Sequence, residues 1–309
     1  MRHVSVLLRE CIRYLDIDPA GTYVDGTLGL GGHSEAILEQ LPQGRLIGID
    51  RDDRAIAYAG KRLARFGSRA ILVKGNFGDL EQILDSLGIE KVNGMLFDLG
   101  VSSPQLDDPE RGFSYMQDAP LDMRMDETSA LTAREVLNTW SEAELRSIFW
   151  RYGEERYAGR IAAAVVARRE EKALETTGEF VDIIRKAMPA AALREKQHPA
   201  KRCFQAVRVA VNDELGSLER MLDRAADRLL PGGRLLVISF QSLEDRLVKE
   251  AIRKREDGCT CPRDFPVCTC GFVKTLKSVT RKPVTPDGTE LEENPRARSA
   301  KLRVAERVI

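Results

Sequence analysis

Hydrophobic positions in the first hundred residues follow two patterns in turn. Short apolar runs, which are typical of buried strands, alternate with segments whose apolar residues recur at helical spacing. The pattern predicts strands that start at Tyr23 and cover 45–50, 69–76 and 92–100, with helices at 4–15, 34–41, 54–66 and 80–87. Strands that alternate with helices at this spacing indicate βαβ units and a parallel sheet.

The alternation stops after the fourth predicted strand. From residue 102 to about 212 the pattern predicts helices and loops but no strand. Three S/T-x-x-E capping boxes mark helix starts there: Thr132 with Glu135, Ser141 with Glu144, and Thr176 with Glu179. A helix at 214–230, a strand at 234–240 and two candidate strands at 272–279 and 302–308 follow, while 283–295 is predicted to be a surface loop. We therefore predict an α/β core of residues 1–104 and 213–309, interrupted by an all-helical insertion at 105–212.

A glycine-rich turn follows the first predicted strand, with the sequence GTLGLGGHS at 26–34. A strand, a glycine turn and a helix in this order can form a nucleotide pocket, because the glycines let backbone approach a ligand and the helix start offers N–H groups. The dinucleotide motif G-x-G-x-x-G is matched imperfectly, since Ser34 stands at its last position. Dinucleotides, S-adenosylmethionine and a purely structural turn are the alternatives at this point.

Acidic or aromatic residues follow successive strands of the predicted sheet. They are Asp25, Asp50, Phe77 and Asp98. Ligands of open α/β sheets bind outside the carboxyl ends of the strands, so Asp50 is predicted to bind a ribose, Phe77 to flank an adenine and Asp98 to face the reacting group. Each residue alone has a structural explanation, but four such residues at the ends of successive strands favour a ligand site.

The segment after Asp98 partly matches the Asp/Asn/Ser-Pro-Pro-aromatic segment of amino-group methyltransferases. Such a segment accepts hydrogen bonds from an exocyclic amine, whose conjugated lone pair is a poor nucleophile unless it is oriented. Ser103 and Pro104 match by residue type, whereas the second Pro and the aromatic residue are missing. Aromatic residues of the insertion are candidates for the missing ring: Phe113, Tyr115 and Trp140.

Several longer motifs resemble those of the ribosomal RNA small-subunit methyltransferase H family. They are GLGGHS at 29–34, DLGVSSPQLDD at 98–108, RGFS at 111–114, PLDMRMD at 120–126, YGEER at 152–156, FQAVR at 204–208, SLEDR at 242–246 and ENPRARS at 293–299. The resemblance spans essentially the whole chain in order. One departure is Gln241, where the family often has His; Gln does not titrate, so we expect no essential base there.

The resemblance implies a Rossmann-like class I S-adenosylmethionine-dependent methyltransferase core with an inserted helical domain. It also implies methylation of the N4 amine of one cytidine near the decoding centre of bacterial 16S rRNA, in the small ribosomal subunit. Cofactor contacts are implied at Gly31, Gly32, His33, Asp50, Phe77, Asp98 and Gln105; the assignment of Gln105 rests on the resemblance alone. Asp98 is the candidate catalytic residue, which orients the amine together with nearby carbonyls; the proton leaves to Asp98 or to water.

The insertion is predicted to recognise RNA. Arg156 and Arg160 are four residues apart and would share one face of a helix, and Lys201 and Arg202 belong to a second basic cluster. Such cations can bind RNA phosphates, while a base is extruded toward the cofactor. The alternative is a solvated helix face interspersed with glutamates.

Composition limits the alternatives further. Lys and Arg number 48 and so do Asp and Glu, so any nucleic-acid site must be a local patch. Charges interrupt the N-terminal apolar run, and no apolar stretch approaches the length that spans a bilayer, so we expect a cytoplasmic protein without membrane spans. A homodimer is compatible with the sequence. The rival functions are a DNA amino-methyltransferase, a nicotinamide oxidoreductase and an RNA-binding module with a vestigial pocket.

Four of the six cysteines lie close together, as Cys259, Cys261, Cys268 and Cys270. Four thiolates can hold a structural zinc, although the C-x-C spacing is tighter than usual, and thiols in a surface loop are the alternative. Methyl transfer from a sulfonium needs no metal, so we assign no catalytic metal. Cys203 is predicted to be a small buried residue, because methylation of an exocyclic nitrogen needs no covalent intermediate.

Overall fold

The computed structural model describes residues 5–261 and 269–309. The chain divides into two compact units, one of Met1–Gly100 with Leu215–Ile309 and the other of Val101–Glu214. Their helices are α1 (Leu8–Leu15), α2 (Gly32–Glu39), α3 (Asp53–Leu63), α4 (Leu80–Ser86), α5 (Ser103–Asp107), α6 (Ala133–Thr139), α7 (Glu142–Arg151), α8 (Ala158–Glu171), α9 (Thr177–Ala187), α10 (Lys201–Asn212), α11 (Glu214–Ala225), α12 (Ser242–Glu256) and α13 (Gly288–Glu293). Within the described ranges, no helix has the length and apolar composition needed to cross a bilayer.

The first unit contains a seven-stranded sheet. Its strands are β1 (Thr22–Asp25), β2 (Arg45–Asp50), β3 (Ala70–Lys74), β4 (Val92–Asp98), β5 (Leu229–Ser239), β6 (Leu276–Ser278) and β7 (Lys301–Arg307). The strand order is β3-β2-β1-β4-β5-β7-β6. The first five strands are parallel, whereas β7 pairs antiparallel with both β5 and β6. The parallel arrangement predicted from the first four strands is confirmed, whereas no direction was predicted for the two C-terminal strands. The chain re-enters the sheet at the end where β6 finishes, so β7 runs back along it.

Apolar residues cover both faces of this sheet. Along β2, Leu46 belongs to one buried cluster while Ile47 and Ile49 belong to the other, as alternation along a strand requires. The Leu46 cluster includes residues of α1, α2 and α3, and the opposite cluster includes residues of α4, α11 and α12. Helices on both faces hold the carboxyl ends of β1 to β4 along one edge of the layer.

Two short helices depart from the sequence predictions. The segment 283–295, predicted to be a loop, contains α13, in which no residue is buried. Its start is fixed by a local cap, since the amide of Glu290 donates to Asp287 Oδ1 at 2.9 Å. Hydrophobic periodicity cannot reveal such a helix, because no apolar face is present. Helix α1 begins at Leu8, later than the predicted start at residue 4.

The second unit is helical, and no strand occurs among its described residues. The three predicted capping boxes are confirmed: the amides of Glu135, Glu144 and Glu179 each donate to the hydroxyl three residues earlier, at 3.3 Å. Its core contains a row of stacked rings, with Phe180 lying 6.1 Å from Phe149 and 5.3 Å from Phe204 between centroids. Cys203 is fully buried in this core, as predicted.

Candidate active site

The glycine turn between β1 and α2 is fixed by backbone hydrogen bonds to β2. The amide of Leu28 donates to the Ile49 carbonyl at 2.9 Å, and the amide of Gly29 donates to Asp50 Oδ2 at 2.8 Å. Gly31 has φ 76°, a left-handed conformation that favours glycine, and it directly precedes α2. A Cβ on Gly32 would lie 2.0 Å from Ser5 Oγ, so a side chain there would displace its neighbour. Glycine at these two positions therefore lets the turn adopt its conformation and pack closely against its neighbours.

Asp25 fixes the other side of this turn. Its Oδ2 accepts a hydrogen bond from Ser34 Oγ at 2.6 Å, and its Oδ1 accepts one from the Thr27 amide at 3.2 Å. The carboxyl is 1 % exposed, and burial raises its pKa to about 6, although these hydrogen bonds oppose the shift. Ser34, which breaks the dinucleotide motif, thus has a structural role in fastening α2 to the end of β1.

Asp50 is held at the end of β2 with acceptor capacity to spare. Its two oxygens accept one backbone hydrogen bond each, from the amides of Gly29 at 2.8 Å and Asp52 at 2.9 Å. A carboxylate offers about four acceptor positions, so each oxygen can accept one more hydrogen bond. Burial raises the pKa of Asp50 to about 6, so the group is mostly ionised at pH 7. This geometry suits the pair of ribose hydroxyls that the sequence predicted.

His33 is neutral in this structure. Its Nε2 lies 2.9 Å from the Val6 carbonyl oxygen, which can only accept, so Nε2 carries the proton. Burial lowers the pKa of His33 to about 4, and the imidazole is therefore uncharged at pH 7. Nδ1 is left as an acceptor, 3.9 Å from Asp98 Oδ2. His33 therefore brings no positive charge to Asp98.

Asp98, the last residue of β4, carries the most perturbed carboxyl of the predicted site. Its amide donates to Thr27 Oγ1 at 2.6 Å, while its Oδ1 is buried and has no hydrogen-bond partner among the residues that the structure describes. The pKa of Asp98 is raised to about 8, first by burial and then by the charges of Asp25, Glu244 and Glu290. The carboxyl is therefore mostly protonated at pH 7 unless a cation or a donor stabilises its charge.

Glu244 and Glu290 were not predicted as site residues. Glu244, 3 % exposed, accepts hydrogen bonds from the amides of Phe240 and Gln241 at 2.9 and 3.1 Å. Glu290 accepts one from the amide of Leu7 at 2.7 Å. Glu244 lies in the SLEDR motif, which was the one signal available in the sequence, whereas Glu290 lies in the segment predicted to be a loop.

Phe77 follows β3 and is held in place by its neighbours. The Asn76 side chain accepts from the Gly78 amide at 2.9 Å and donates to Ser217 Oγ at 2.8 Å. The Phe77 ring contacts the Phe97 ring edge-on, with centroids 5.8 Å apart, and is only partly buried. The remaining ring surface can contact a flat ligand group such as adenine.

The electrostatics of these strand ends select the kind of ligand. All of the charges that shift the pKa of Asp98 are negative. A cationic ligand is favoured here, whereas the two negative charges of a dinucleotide pyrophosphate would be repelled by these carboxylates. S-adenosylmethionine combines a ribose, an adenine and a sulfonium cation. The fold and the site together define a class I S-adenosylmethionine-dependent methyltransferase with a Rossmann-like core, as predicted.

Comparison with known proteins agrees with this class. The chain belongs to the MraW methylase family, which it matches over residues 1–308. It is 54 % identical over 308 residues to the "Ribosomal RNA small subunit methyltransferase H" of Heliobacterium modesticaldum, covering 99 % of this chain and 98 % of the relative. The proteins of that name from Carboxydothermus hydrogenoformans and Brevibacillus brevis are 54 % and 52 % identical, over 99 % of this chain and 98 % of each relative. The family resemblance and the cofactor predicted from the sequence are thereby confirmed.

Gln105 lies in the second unit, in α5. Its side chain is 7 % exposed, and its Oε1 accepts a hydrogen bond from the Ser102 amide at 3.0 Å, which caps the start of the helix. The structure thus gives Gln105 a local role, and its contact with the cofactor stays a prediction.

The predicted RNA-binding residues also lie in the second unit. Helix α8 begins at Ala158, so Arg156 precedes it, and the argument that Arg156 and Arg160 share a helix face is wrong. Arg156 forms an ion pair with Glu195, and its guanidinium lies 5.2 Å from the centre of the Tyr157 ring. Arg160 is exposed.

Lys201 and Arg202 open helix α10, with Lys201 exposed and Arg202 partly buried. Arg169, another basic residue of α8, donates to the carbonyls of Leu137 and Trp140 at 2.9 and 2.7 Å, so its role is structural. Of the aromatic candidates for stacking, Phe113 is buried, while Tyr115 stacks on His198 with centroids 4.6 Å apart.

Proposed function

We propose that this protein transfers a methyl group from S-adenosylmethionine to the N4 amine of one cytidine in the decoding region of bacterial 16S rRNA, within the small ribosomal subunit. The substrate class is supported by the relatives of this chain, which carry the name ribosomal RNA small subunit methyltransferase H and match it over nearly their whole length. Such a substrate would place the protein in the cytoplasm.

The observation that carries the amine assignment is the buried acceptor at Asp98. Oδ1 of Asp98 has no hydrogen-bond partner among the described residues. A buried acceptor without a donor costs about 1–3 kcal/mol, so this atom favours a ligand that brings N–H groups. An exocyclic amine brings two. Acceptors that hold these hydrogens also orient the nitrogen lone pair out of the ring plane.

The residues of the first unit have separate roles in this mechanism. Gly31, Gly32, Asp50 and Phe77 would hold the cofactor, which when bound supplies an electrophilic methyl on a sulfonium. The nitrogen–carbon bond forms as the sulfur–carbon bond breaks, and the amine loses one proton. Asp98 would hold one amine hydrogen and accept that proton or pass it to water, because a nearby cation lowers its pKa from about 8 and favours the carboxylate.

Methylation at a ring carbon of cytosine is not supported by the two buried cysteines. That reaction needs a thiolate nucleophile. Cys11 and Cys203 are both fully buried, and burial raises the pKa of each thiol well above its usual value. An exocyclic amine needs no covalent intermediate, which agrees with a site whose chemistry centres on a carboxyl.

The helical unit is proposed to bind the RNA backbone. Arg160 and Lys201 are exposed and Arg156 keeps 55 % of its side chain accessible, so phosphates can reach these cations. Backbone contacts of this kind would offset the few kcal/mol needed to extrude a cytidine from folded rRNA.

The test is transfer of labelled methyl from S-adenosylmethionine to unmodified small ribosomal subunits and, in parallel, to protein-free 16S rRNA. Digestion to nucleosides and mass analysis should give N4-methylcytidine at one position. Asp98→Ala should abolish transfer while RNA binding stays within about twofold of the wild type. Methylation at another nucleoside would refute the proposed substrate. Full activity of Asp98→Ala would refute the proposed role of Asp98.

A further inference from the structure

Three cysteines meet between α12 and β6, and none of them belongs to the glycine turn or to the residues proposed to hold the cofactor. Cys259 and Cys261 closely follow α12, and Cys270 precedes β6. Their sulfur atoms all lie within 4.8 Å of one another, and the Sγ atoms of Cys259 and Cys270 are 3.6 Å apart. Cys268 lies outside the described residues, and nothing below rests on it.

The spacing of these sulfurs suits a shared metal ion. Two thiolates bound to one zinc at about 2.3 Å, in tetrahedral geometry, lie about 3.8 Å apart. The separation of Cys259 and Cys270 is close to this value, whereas a disulfide requires about 2.05 Å. Three sulfurs this close together suit a single ion better than a cluster in which each thiolate binds a different iron.

The backbone around the sulfurs favours the thiolate form that a metal requires. The amide of Thr269 donates to Cys261 Sγ at 3.2 Å, and the Thr269 hydroxyl lies 3.5 Å from the same sulfur. Hydrogen bonds donated to a sulfur stabilise its negative charge and fix its direction, which is how residues around a metal centre support its ligands.

Hydrophobic burial contributes little to the positions of the three cysteines. None of the described residues at 257–261 and 269–275 is buried, and Val273 is 59 % exposed. A metal site of this kind does not exist in the unfolded chain, so the free energy of metal binding would stabilise the approach of these two described segments.

We propose that Cys259, Cys261 and Cys270 supply three of the four tetrahedral ligands of one structural zinc ion, which holds the residues after α12 against those before β6. Zinc is preferred because it favours thiolates, forms tetrahedral sites and needs no redox partner. The site is independent of the methyl-transfer chemistry, so its test does not use activity.

The experiment is elemental analysis of the full-length protein, purified under reducing conditions without chelator. We expect about one zinc per chain. Replacing zinc by cobalt(II) should give the intense charge-transfer absorption of thiolate ligands. Each of Cys259→Ser, Cys261→Ser and Cys270→Ser should weaken metal binding at least about tenfold, because even the loss of a residue that only orients a ligand typically costs that much. Chelation should also increase proteolytic cleavage within 257–275.

The matched control is Thr260→Ser, which changes an exposed residue between two of the proposed ligands. It should retain the metal and the cobalt spectrum. Binding of S-adenosylmethionine should be unchanged in all four variants, which excludes general misfolding as the cause of metal loss. Copper or iron in place of zinc, absence of any bound metal, or a Cys259–Cys270 disulfide found by mass under non-reducing conditions would each overturn the proposal.

Discussion

Replacing Asp98 with Asn removes a carboxyl whose pKa is about 8, and this should change how binding of S-adenosylmethionine depends on pH. The side chain keeps its size and a hydrogen-bonding oxygen but cannot ionise. If the cationic cofactor binds more tightly to the ionised carboxylate, the wild-type affinity must rise as pH rises through this pKa, whereas the contribution is missing in Asp98→Asn.

The magnitude follows from the ionised fraction. A group with a pKa of about 8 is about one-tenth ionised at pH 7 and about nine-tenths ionised at pH 9. Affinity should therefore rise about tenfold over this range, which corresponds to about 1.4 kcal/mol. Asp25 and Asp50, with pKa values of about 6, are mostly ionised at pH 7 already and contribute little in this window.

Isothermal titration calorimetry at pH 7, 8 and 9, in buffers with different heats of ionisation, measures both the affinity and the protons released. Binding at pH 7 should release about 0.9 proton more from the wild type than from Asp98→Asn. The amino group of the cofactor titrates in a similar range, but it does so with both proteins and cancels in the difference.

Glu290→Gln provides a matched control. Gln keeps an acceptor for the Leu7 amide but removes one of the negative charges that raise the pKa of Asp98. In Glu290→Gln the affinity for S-adenosylmethionine should therefore still rise with pH, but at a lower pH than in the wild type. Equal pH dependence in the wild type and Asp98→Asn would refute the view that the charge of Asp98 contributes to cofactor binding.

Three further predictions concern stability and RNA binding. The pKa of Asp98 is higher in the folded chain than its ordinary value of 3.8, so the protonated carboxyl stabilises the folded state at low pH, and this stabilisation is lost as pH rises through about 8. Asp98→Asn should therefore raise the melting temperature at pH 9 and have little effect near pH 4. Thermal denaturation without ligand measures both. Gly31→Ala, at φ 76°, should lower the free energy of unfolding by about 1–2 kcal/mol in urea titrations. Gly60→Ala in α3, where an added Cβ would lie 3.7 Å from its nearest neighbour, should raise the free energy of unfolding by up to about 1 kcal/mol. Similar losses of stability in Gly31→Ala and Gly60→Ala would contradict the argument from the φ angle of Gly31. Arg160→Gln should weaken RNA binding and reduce by about 1 the slope of the logarithm of affinity against the logarithm of salt concentration. Arg169→Gln, which leaves two carbonyls without their donor, should instead mainly lower stability. Equal RNA binding by Arg160→Gln and the wild type would remove Arg160 from the interface.

Local signals in the sequence predicted local structure well. The predicted strand at 45–50 has the bounds of β2, and the predicted strand at 302–308 differs from β7 by one residue at each end. The three capping boxes were found because a cap involves residues three positions apart. Asp50 and Asp98 could be placed at strand ends for the same reason, since a strand and the residue that ends it are contiguous.

Other features were not predicted or were predicted wrongly. No direction was predicted for β7, because that direction depends on where the chain returns to the sheet. Arg156 and Arg160 were predicted to share a helix face, but α8 begins only at Ala158. Ser34 was read as a departure from a motif, yet its bond to Asp25 fixes the turn.

The sequence by itself therefore determined the order of elements, the glycine turn, the carboxyls at the strand ends and the family. Only the tertiary structure decided the electrostatic character of the site. Asp25, Glu244 and Glu290 come from three distant segments, and together with burial they raise the pKa of Asp98 to about 8. Charge interactions and desolvation depend on distance and burial in three dimensions, and neither quantity can be read from the spacing of residues along a chain.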